Sequence, residues 1–176
     1  MKLSDFNIGQ MYIRYYPDPI LRQSAAPIEE IDSEVIALID RMTDLMLEAN
    51  GIGLAAIQLG VPLQAVTLSL TGKREDVEVF INPVLDGFEG LSEVEEGCLS
   101  LPGVRGVVRR PAICTVTSLD LEGNLFVTDM VELGATAIQH EVDHLQGKLF
   151  IDRLSTISRL ACRKALKQLE QQYQQD

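Results

Sequence analysis

The chain has 176 residues, of which 46% are hydrophobic, and its formal net charge is −11. This length and composition predict one compact domain over residues 1–176 with a substantial core, and they argue against global disorder. The acidic charge argues against general binding of DNA or other nucleic acids, which requires a basic surface.

The sequence also bears on the compartment in which the protein works. No apolar run approaches the ~20 residues that a membrane helix needs, so we expect no membrane partner. The first ten residues lack an apolar signal core and are not rich in Arg or Ser. Three cysteines without an export signal predict reduced thiols. We therefore expect a cytoplasmic protein, or an organelle protein if a leader has been removed.

In chain order, the predicted elements begin with an irregular segment, residues 1–30. A helix over 33–48 follows, because its apolar residues recur with helical spacing up to Asn50-Gly51. The remaining predicted elements are strands at 64–70, 77–82, 113–119 and 125–130 and helices at 134–146 and 155–172. Because strand pairs are separated from helices, we expect an α+β fold, with antiparallel sheets packed around the helix at 134–146 and a C-terminal helix.

The helix at 134–146 carries both histidines of the chain, His140 and His144, within the sequence His-Glu-Val-Asp-His. Positions i and i+4 share one helix face, so both imidazoles can bind one cation. Glu141 lies about 100° around the helix, beside such a cation. This position suits a carboxylate that accepts a proton from metal-activated water.

Two ordinary surface histidines are the alternative to a metal site. The helical wheel argues against them, because apolar residues lie opposite the histidines and also beside them: Ala135, Ile138, Val142 and Leu145 opposite, Leu133 and Ala137 beside. A helix that is apolar on two sides is predicted to cross the interior. Buried histidines one turn apart need polar partners, and a shared metal supplies one.

A catalytic tetrahedral site usually has three protein ligands and one position for water, and the chain has no third histidine. Cys98, beside Gly97 in Glu-Glu-Gly-Cys-Leu-Ser, is the best candidate for the third ligand. From the residues alone, a small buried hydrophobic side chain remains an equal interpretation of Cys98. We assign Cys114, in an alternating strand, and Cys162, on the last helix, to the core.

Three segments together resemble the peptide deformylase family. They are Gly-Ile-Gly-Leu-Ala-Ala-Ile-Gln at 51–58, Glu-Gly-Cys-Leu-Ser at 96–100 and Gln-His-Glu-Val-Asp-His at 139–144, in the family's order. The resemblance extends over about residues 16–169, nearly the whole chain. Ile57 departs from the pattern, since many members have Pro or another small residue there, but no catalytic group is lost.

The resemblance implies a metal-dependent hydrolase that removes the N-terminal formyl group from the methionine of nascent proteins. It implies that Cys98, His140 and His144 bind one divalent ion, with Fe²⁺ native and Zn²⁺, Ni²⁺ or Co²⁺ as substitutes. The remaining roles that we expect are general acid/base for Glu141, oxyanion stabilisation by Gln58 and the backbone N–H of Leu99, peptide binding by the backbone of Gly53, and contact with the methionine side chain by Leu133 and Ala137.

A zinc endopeptidase is the main alternative function. The run from His140 to Gly147 begins like a metzincin motif, but that motif needs a histidine where Phe150 stands. A downstream carboxylate ligand could come only from Glu170. A structural metal site in a binding module is a third interpretation, although such sites usually have four ligands and three are visible here.

The last predicted helix carries three basic residues spaced four apart, which therefore form one stripe: Arg159, Arg163 and Lys167. A solvated amphipathic helix is the simpler interpretation. The alternative is a ribosome-binding face, as some bacterial deformylases dock at the exit tunnel through a C-terminal helix. Salt screens charges beyond ~8 Å, so the acidic bulk of the protein does not prevent a local basic contact.

Overall fold

The computed structural model describes residues 3–174, and its helices and strands confirm an α+β fold. In chain order they are α1 (Ser33–Glu48), β1 (Gly53–Ala55), β2 (Ala65–Leu68), β3 (Glu78–Glu89), β4 (Ser92–Cys98), β5 (Leu101–Arg110), β6 (Ile113–Leu119), β7 (Leu125–Val131), α2 (Glu132–Leu145) and α3 (Thr156–Tyr173). Short 3₁₀ turns connect several of these elements, and the turn Ala56–Leu59 directly follows β1.

The strands form two antiparallel sheets. Five strands pair in the order β1-β2-β3-β6-β7, and β4 pairs only with β5 in a separate hairpin. The predicted strand pairs lie in the larger sheet, where β6 and β7 run in register from Ile113↔Val131 to Leu119↔Leu125. The sequence analysis missed β1, β4 and β5, and β3 extends well beyond the predicted strand.

Helix α2 passes through the interior, as its two apolar sides predict. Every residue from Gly134 to Leu145 is buried. Its apolar residues pack against β2, β3 and β6, and the shared cluster includes Ile138, Val66 and Phe80. Gly147, with φ 70°, allows the chain to turn away just beyond the helix. This packing fixes the direction in which the histidine face points.

The other two helices cover the outside of the sheets. The Asp32 side chain accepts hydrogen bonds from the first-turn amides of α1, and the apolar face of that helix closes a second core cluster. Ser155 precedes helix α3, and its hydroxyl oxygen accepts a hydrogen bond from Ser158 N. The helix packs on β5 through Cys162, Leu166 and Leu169. Within residues 3–174, none of the helices has the length and apolar character required to cross a membrane.

Candidate metal centre

The two histidines lie side by side on α2, in the interior. His140 is 8% exposed and His144 is 1% exposed. Their ring centroids are 5.0 Å apart, and Phe150 stacks on the His140 ring at 6.1 Å. The helix therefore presents both imidazoles to the same small volume, as the i, i+4 spacing predicts.

Cys98 brings the third donor from a different element. It is the last residue of β4, just after a register shift between Gly97 and Cys98 in the β4–β5 pairing. Its Sγ lies 3.2 Å from His144 Nε2. The donor atoms of Cys98, His140 and His144 lie within 4.8 Å of one another, and no other such group of three was found in residues 3–174. Cys114 and Cys162 are buried in apolar clusters and are not members of this group.

The chemistry of these donors fits a divalent metal ion. His140 Nδ1 is 2.9 Å from Glu96 Oε2, which leaves Nε2 of the same ring for a cation. His144 Nδ1 and Glu141 Oε2 are buried and have no hydrogen-bond partner within the part of the chain described. One thiolate and two imidazoles suit transition metals such as Fe²⁺ and Zn²⁺ and leave one position for water.

A buried set of ion pairs surrounds His140, and the sequence analysis did not identify it. Arg110 donates two hydrogen bonds to Glu96, from Nε at 2.5 Å and from Nη2 at 2.9 Å, and its Nη1 donates to Asp143 at 2.8 Å. Burial alone would raise the pKa of Glu96, but the bonds from Arg110 and His140 lower it to about 2. Glu96 is therefore ionised, and its carboxylate accepts a hydrogen bond from the N–H at His140 Nδ1.

Burial shifts the pKa values of two further titratable groups of α2, Glu141 and His144, in opposite directions. It raises the pKa of Glu141 to about 7, although the positive charges of His140 and Arg110 oppose this. It lowers the pKa of His144 well below its usual value, which keeps that ring neutral and able to bind a metal. Glu141 is thus poised to exchange a proton near neutral pH.

Gln58 lies in the turn after β1, and its side-chain amide is held at both ends. Its Oε1 accepts from Ala55 N at 2.9 Å, and its Nε2 donates to Ser100 Oγ at 3.0 Å and lies 3.6 Å from Cys98 Sγ. These contacts hold the side-chain amide of Gln58 with its Nε2 donor facing Cys98, one of the three candidate metal ligands. The neighbouring Ile57 is fully buried in an apolar cluster, so the departure from the family pattern does not alter the rim of the site.

A cavity of about 560 Å³ opens over these residues, a volume typical of small-molecule sites. Its walls include every residue predicted for the catalytic and metal site except His144: Gly53, Gln58, Cys98, Leu99, Leu133, Ala137, His140 and Glu141. Gly53 lies so close to α2 that a Cβ there would be 2.5 Å from Glu141 Oε1. This close approach explains the glycine physically.

Within residues 3–174, the structure places no third ligand of the kind that the endopeptidase interpretation requires beside the two histidines. Phe150 occupies the position of the required histidine and stacks on His140. Glu170, the remaining candidate, accepts a hydrogen bond from Tyr16 OH at 2.8 Å on the surface of α3. It is not part of the donor group of Cys98 and the two histidines.

Comparison with known proteins agrees with this geometry. Residues 11–160 match the family model described as polypeptide deformylase. The chain is 46% identical over 152 residues to the peptide deformylase of Nitrosococcus oceani, covering 86% of this chain and 91% of that protein. It is 45% identical over 158 residues to the peptide deformylase of Pseudomonas aeruginosa, covering 89% of this chain and 94% of the relative.

Solved structures give the same result. A peptide deformylase from Plasmodium falciparum superposes with a TM-score of 0.90 at 32% identity, covering 93% of this chain and 97% of the other. A peptide deformylase from Legionella pneumophila gives a TM-score of 0.87 at 38% identity, covering 94% of this chain and 98% of the other. Sequence and fold thus point to the same proteins over almost their whole length.

Proposed function

The chain belongs to the polypeptide deformylase family, and we propose that it removes the N-terminal formyl group from the methionine of nascent proteins and releases formate. The observation that carries this proposal is the group of Cys98, His140 and His144, with Glu141 beside it, at the cavity. The test is formate release from formyl-Met peptides, with cleavage of internal peptide bonds measured in parallel. Internal cleavage without formate release would point to an endopeptidase instead.

Cys98, His140 and His144 are proposed to hold one divalent metal ion, with Fe²⁺ as the native ion. Bound there, the ion would act as a Lewis acid that activates a water molecule. The mixed thiolate and imidazole donors would also accept Zn²⁺, Ni²⁺ or Co²⁺. Elemental analysis after anaerobic purification tests the identity, and a dominant ion other than iron would overturn that part of the proposal.

Glu141 is proposed as the general acid/base. Its carboxylate would accept the proton of the attacking water and deliver it to the leaving amine. Burial raises the pKa of Glu141 to about 7 in the metal-free chain, and the positive charge of a bound ion would favour the carboxylate form that accepts the water proton. Its unpartnered Oε2 is available for that exchange.

Gln58 and Leu99 are proposed to stabilise the oxyanion that forms when the formyl carbon is attacked. The Gln58 Nε2 donor is already oriented by the bonds to Ala55 and Ser100, so little reorganisation is needed during the reaction. The backbone N–H of Leu99, directly after Cys98, is the second proposed donor. Losing one such donor typically costs ~3 kcal/mol of barrier.

The substrate peptide is proposed to lie along β1. This strand is an edge of the five-stranded sheet, so the backbone of Gly53 can hydrogen-bond an added extended segment. The methionine side chain would contact Leu133 and Ala137, which line the cavity beside His140. A formyl group carries hydrogen where other acyl groups carry carbon, so a narrow site can exclude acetylated peptides.

Cys98 is proposed to act as a metal ligand and not as a nucleophile. Its Sγ lies 3.2 Å from His144 Nε2, among the donor atoms of the two histidines, which supports a ligand role. Rapid-quench mass spectrometry on formyl-Met peptides should therefore detect no formyl thioester on the enzyme. An accumulating thioester would move the protein to covalent catalysis.

The protein is proposed to act in the cytoplasm. Residues 1–176 are proposed to form one catalytic domain that acts on nascent chains as they leave the ribosome. Arg159, Arg163 and Lys167 are exposed on α3, and they are proposed to contact ribosomal RNA phosphates. Arg159 is the least free of the three, since its guanidinium also lies 4.0 Å from Asp152.

Charge reversal of the three basic residues tests the ribosome contact. The triple variant R159E, R163E and K167E should sediment less with ribosomes than the wild type, while activity on free formyl-Met peptides stays within about twofold. A matched variant reverses three exposed basic residues elsewhere: Lys73, Arg74 and Lys148. Equal co-sedimentation of both variants and the wild type across a salt series would leave a simple solvated helix.

A further inference from the structure

Arg110 is a buried cation whose three nitrogen positions are all engaged by carboxylates. The side chain is 2% exposed. Its Nε and Nη2 donate to the two oxygens of Glu96, and its Nη1 donates to Asp143 Oδ2 at 2.8 Å. The reaction described above gives Arg110 no role. An arginine in the interior with this many charged bonds needs a physical explanation.

The two carboxylates belong to the two elements that supply the metal ligands. Glu96 stands on β4, two residues before Cys98. Asp143 stands on α2, next to His144. Because the donors of the metal site come from both elements, the separation between β4 and α2 decides whether thiolate and imidazoles can reach one ion. The Arg110 guanidinium spans that separation.

The ion pairs of Arg110 form a network that contacts the proposed metal ligand His140 at one end and reaches the protein surface at the other. Glu96 Oε2 contacts both Arg110 Nη2 and His140 Nδ1, each at 2.9 Å. At the opposite end, Arg153 donates to both oxygens of Asp143, with Nε at 2.5 Å from Oδ2, and its side chain is 40% exposed. Consecutive hydrogen bonds therefore link five side chains, from the surface inwards: Arg153, Asp143, Arg110, Glu96 and His140.

We propose that Arg110 is a positioning residue for the metal centre, which joins the strand that carries Cys98 to the helix that carries His140 and His144. The planar guanidinium fixes the Glu96 carboxylate by two parallel bonds, and Glu96 in turn fixes the His140 ring with Nε2 free for the ion. Without Arg110, Asp143 would keep its bonds from Arg153, but the buried Glu96 carboxylate would lose its guanidinium partner and the orientation that His140 requires.

Adjacent Arg109 provides a matched control on the same hairpin. It pairs with Glu93 through Nε at 2.5 Å, so it also joins β5 to β4, but its side chain is 73% exposed. The variants to compare are R110K and R110M with R109K and R109M. Lysine keeps the charge and loses the fork, so R110K decides the question if R110M does not fold.

The readouts are the Co²⁺ dissociation constant, from competition with a chelator, the absorption spectrum of the Co²⁺-loaded protein, and thermal unfolding of the metal-free protein. Substitution of an outer-shell partner typically weakens metal binding 10–100-fold. We expect R110K to weaken Co²⁺ binding by about tenfold and to shift the Co²⁺ bands, with R110M weaker still. R109K and R109M should stay within about twofold of the wild type.

A purely structural role for Arg110 predicts a different outcome. R110K would then unfold at a lower temperature but bind Co²⁺ with the wild-type affinity and spectrum, and this result would overturn the inference. The inference rests on the proposed metal site, which the wild type tests separately. If the wild type bound no Co²⁺, the metal site itself would be wrong, whatever the arginine variants did.

Discussion

Helices α2 and α3 differ in how much of each is buried. Twelve of the 14 residues of α2 are buried, so any change on it alters either the core or the site. Only three of the 18 residues of α3 are buried, Cys162, Leu166 and Leu169, so most changes on it reach solvent alone. Chemistry therefore depends on α2, whereas α3 contributes one packed face and one free face.

This difference in burial explains why charged side chains affect the stability of the fold differently in the two helices. Along the buried part of α2, a charged side chain loses its hydration and needs an ionic partner, as the bonds of Asp143 with Arg110 and Arg153 illustrate. On α3, Arg163 and Lys167 are exposed, where ion pairs and single charges change the stability of the fold very little. Substitutions at matched positions should separate the two cases.

The largest effect is expected at Glu141, the proposed proton carrier on α2. E141Q keeps the shape of the side chain but cannot accept a proton, so formate release should fall by about 10²–10⁴-fold. The metal content should stay unchanged, because Glu141 is not among the ligand candidates. Normal turnover by a metal-loaded E141Q protein would show that the proton carrier lies elsewhere.

The next effect is expected at Gly53, which faces α2 across the site. In G53A the new Cβ would lie 2.5 Å from Glu141 Oε1 and 2.8 Å from Leu68 Cδ2, so the carboxylate must move. Displacement by about 1 Å in an active site can cost 10²-fold in rate, and we expect a loss of about that size in formate release.

Gly9 supplies the control for that substitution. A Cβ at Gly9 would meet Asn7 Oδ1 at 3.7 Å, which is ordinary contact. G9A should therefore release formate at the wild-type rate. Equal rates for G53A and the wild type would mean that Gly53 does not confine Glu141.

The third prediction concerns acid stability of the metal-free protein. The pKa of Glu96 is about 2 in the folded chain against an ordinary value of 4.5, so its ionised form stabilises the fold above pH 4.5. That contribution, about 3 kcal/mol, is lost as pH falls from about 4.5 to 2. In E96Q, the free energy of unfolding should depend less steeply on pH in this window.

Glu93 gives the matched comparison for Glu96, since its ion pair with Arg109 is exposed. Urea unfolding of the wild type, E96Q and E93Q at several pH values is the measurement. E93Q should keep the wild-type slope between pH 2 and 4.5, because exposed pairs contribute at most about 1 kcal/mol. Identical slopes for all three proteins would contradict the assigned state of Glu96.

The smallest effect on chemistry is expected on α3. L166A removes a side chain that is 8% exposed and should lower the free energy of unfolding by about 2 kcal/mol. L160A changes a residue that is 65% exposed and should stay within about 0.5 kcal/mol of the wild type. Both should release formate normally at low temperature, and a loss of rate in folded L166A would link α3 to catalysis.

The difference between local and long-range contacts explains which elements could be predicted from the sequence. Helix α1 begins and ends where its apolar spacing and the Asn50-Gly51 stop place it, and α2 was predicted to within two residues at its start. These elements depend on patterns contained within one short segment. The pairing of His140 with His144 follows from the same local geometry.

The hairpin of β4 and β5 could not be predicted in this way. Strand β4 has three glutamates among its seven residues and one buried residue, Glu96, and β5 contains Pro102 and two glycines, so neither has a clear alternating pattern. The proposed ligand role of Cys98 needed the family resemblance. Arg110, next to exposed Arg109, gives no sign in the sequence that it is buried, because its partners come from other elements.

The most direct test of the central claim is to measure metal content and formate release on the same anaerobically purified protein. We expect about one iron per chain, bound by three protein ligands, and formate release from formyl-Met peptides in proportion to iron occupancy. C98A and H144A should lose both the metal and the activity. Full formate release from protein stripped of metal by a chelator would contradict the account.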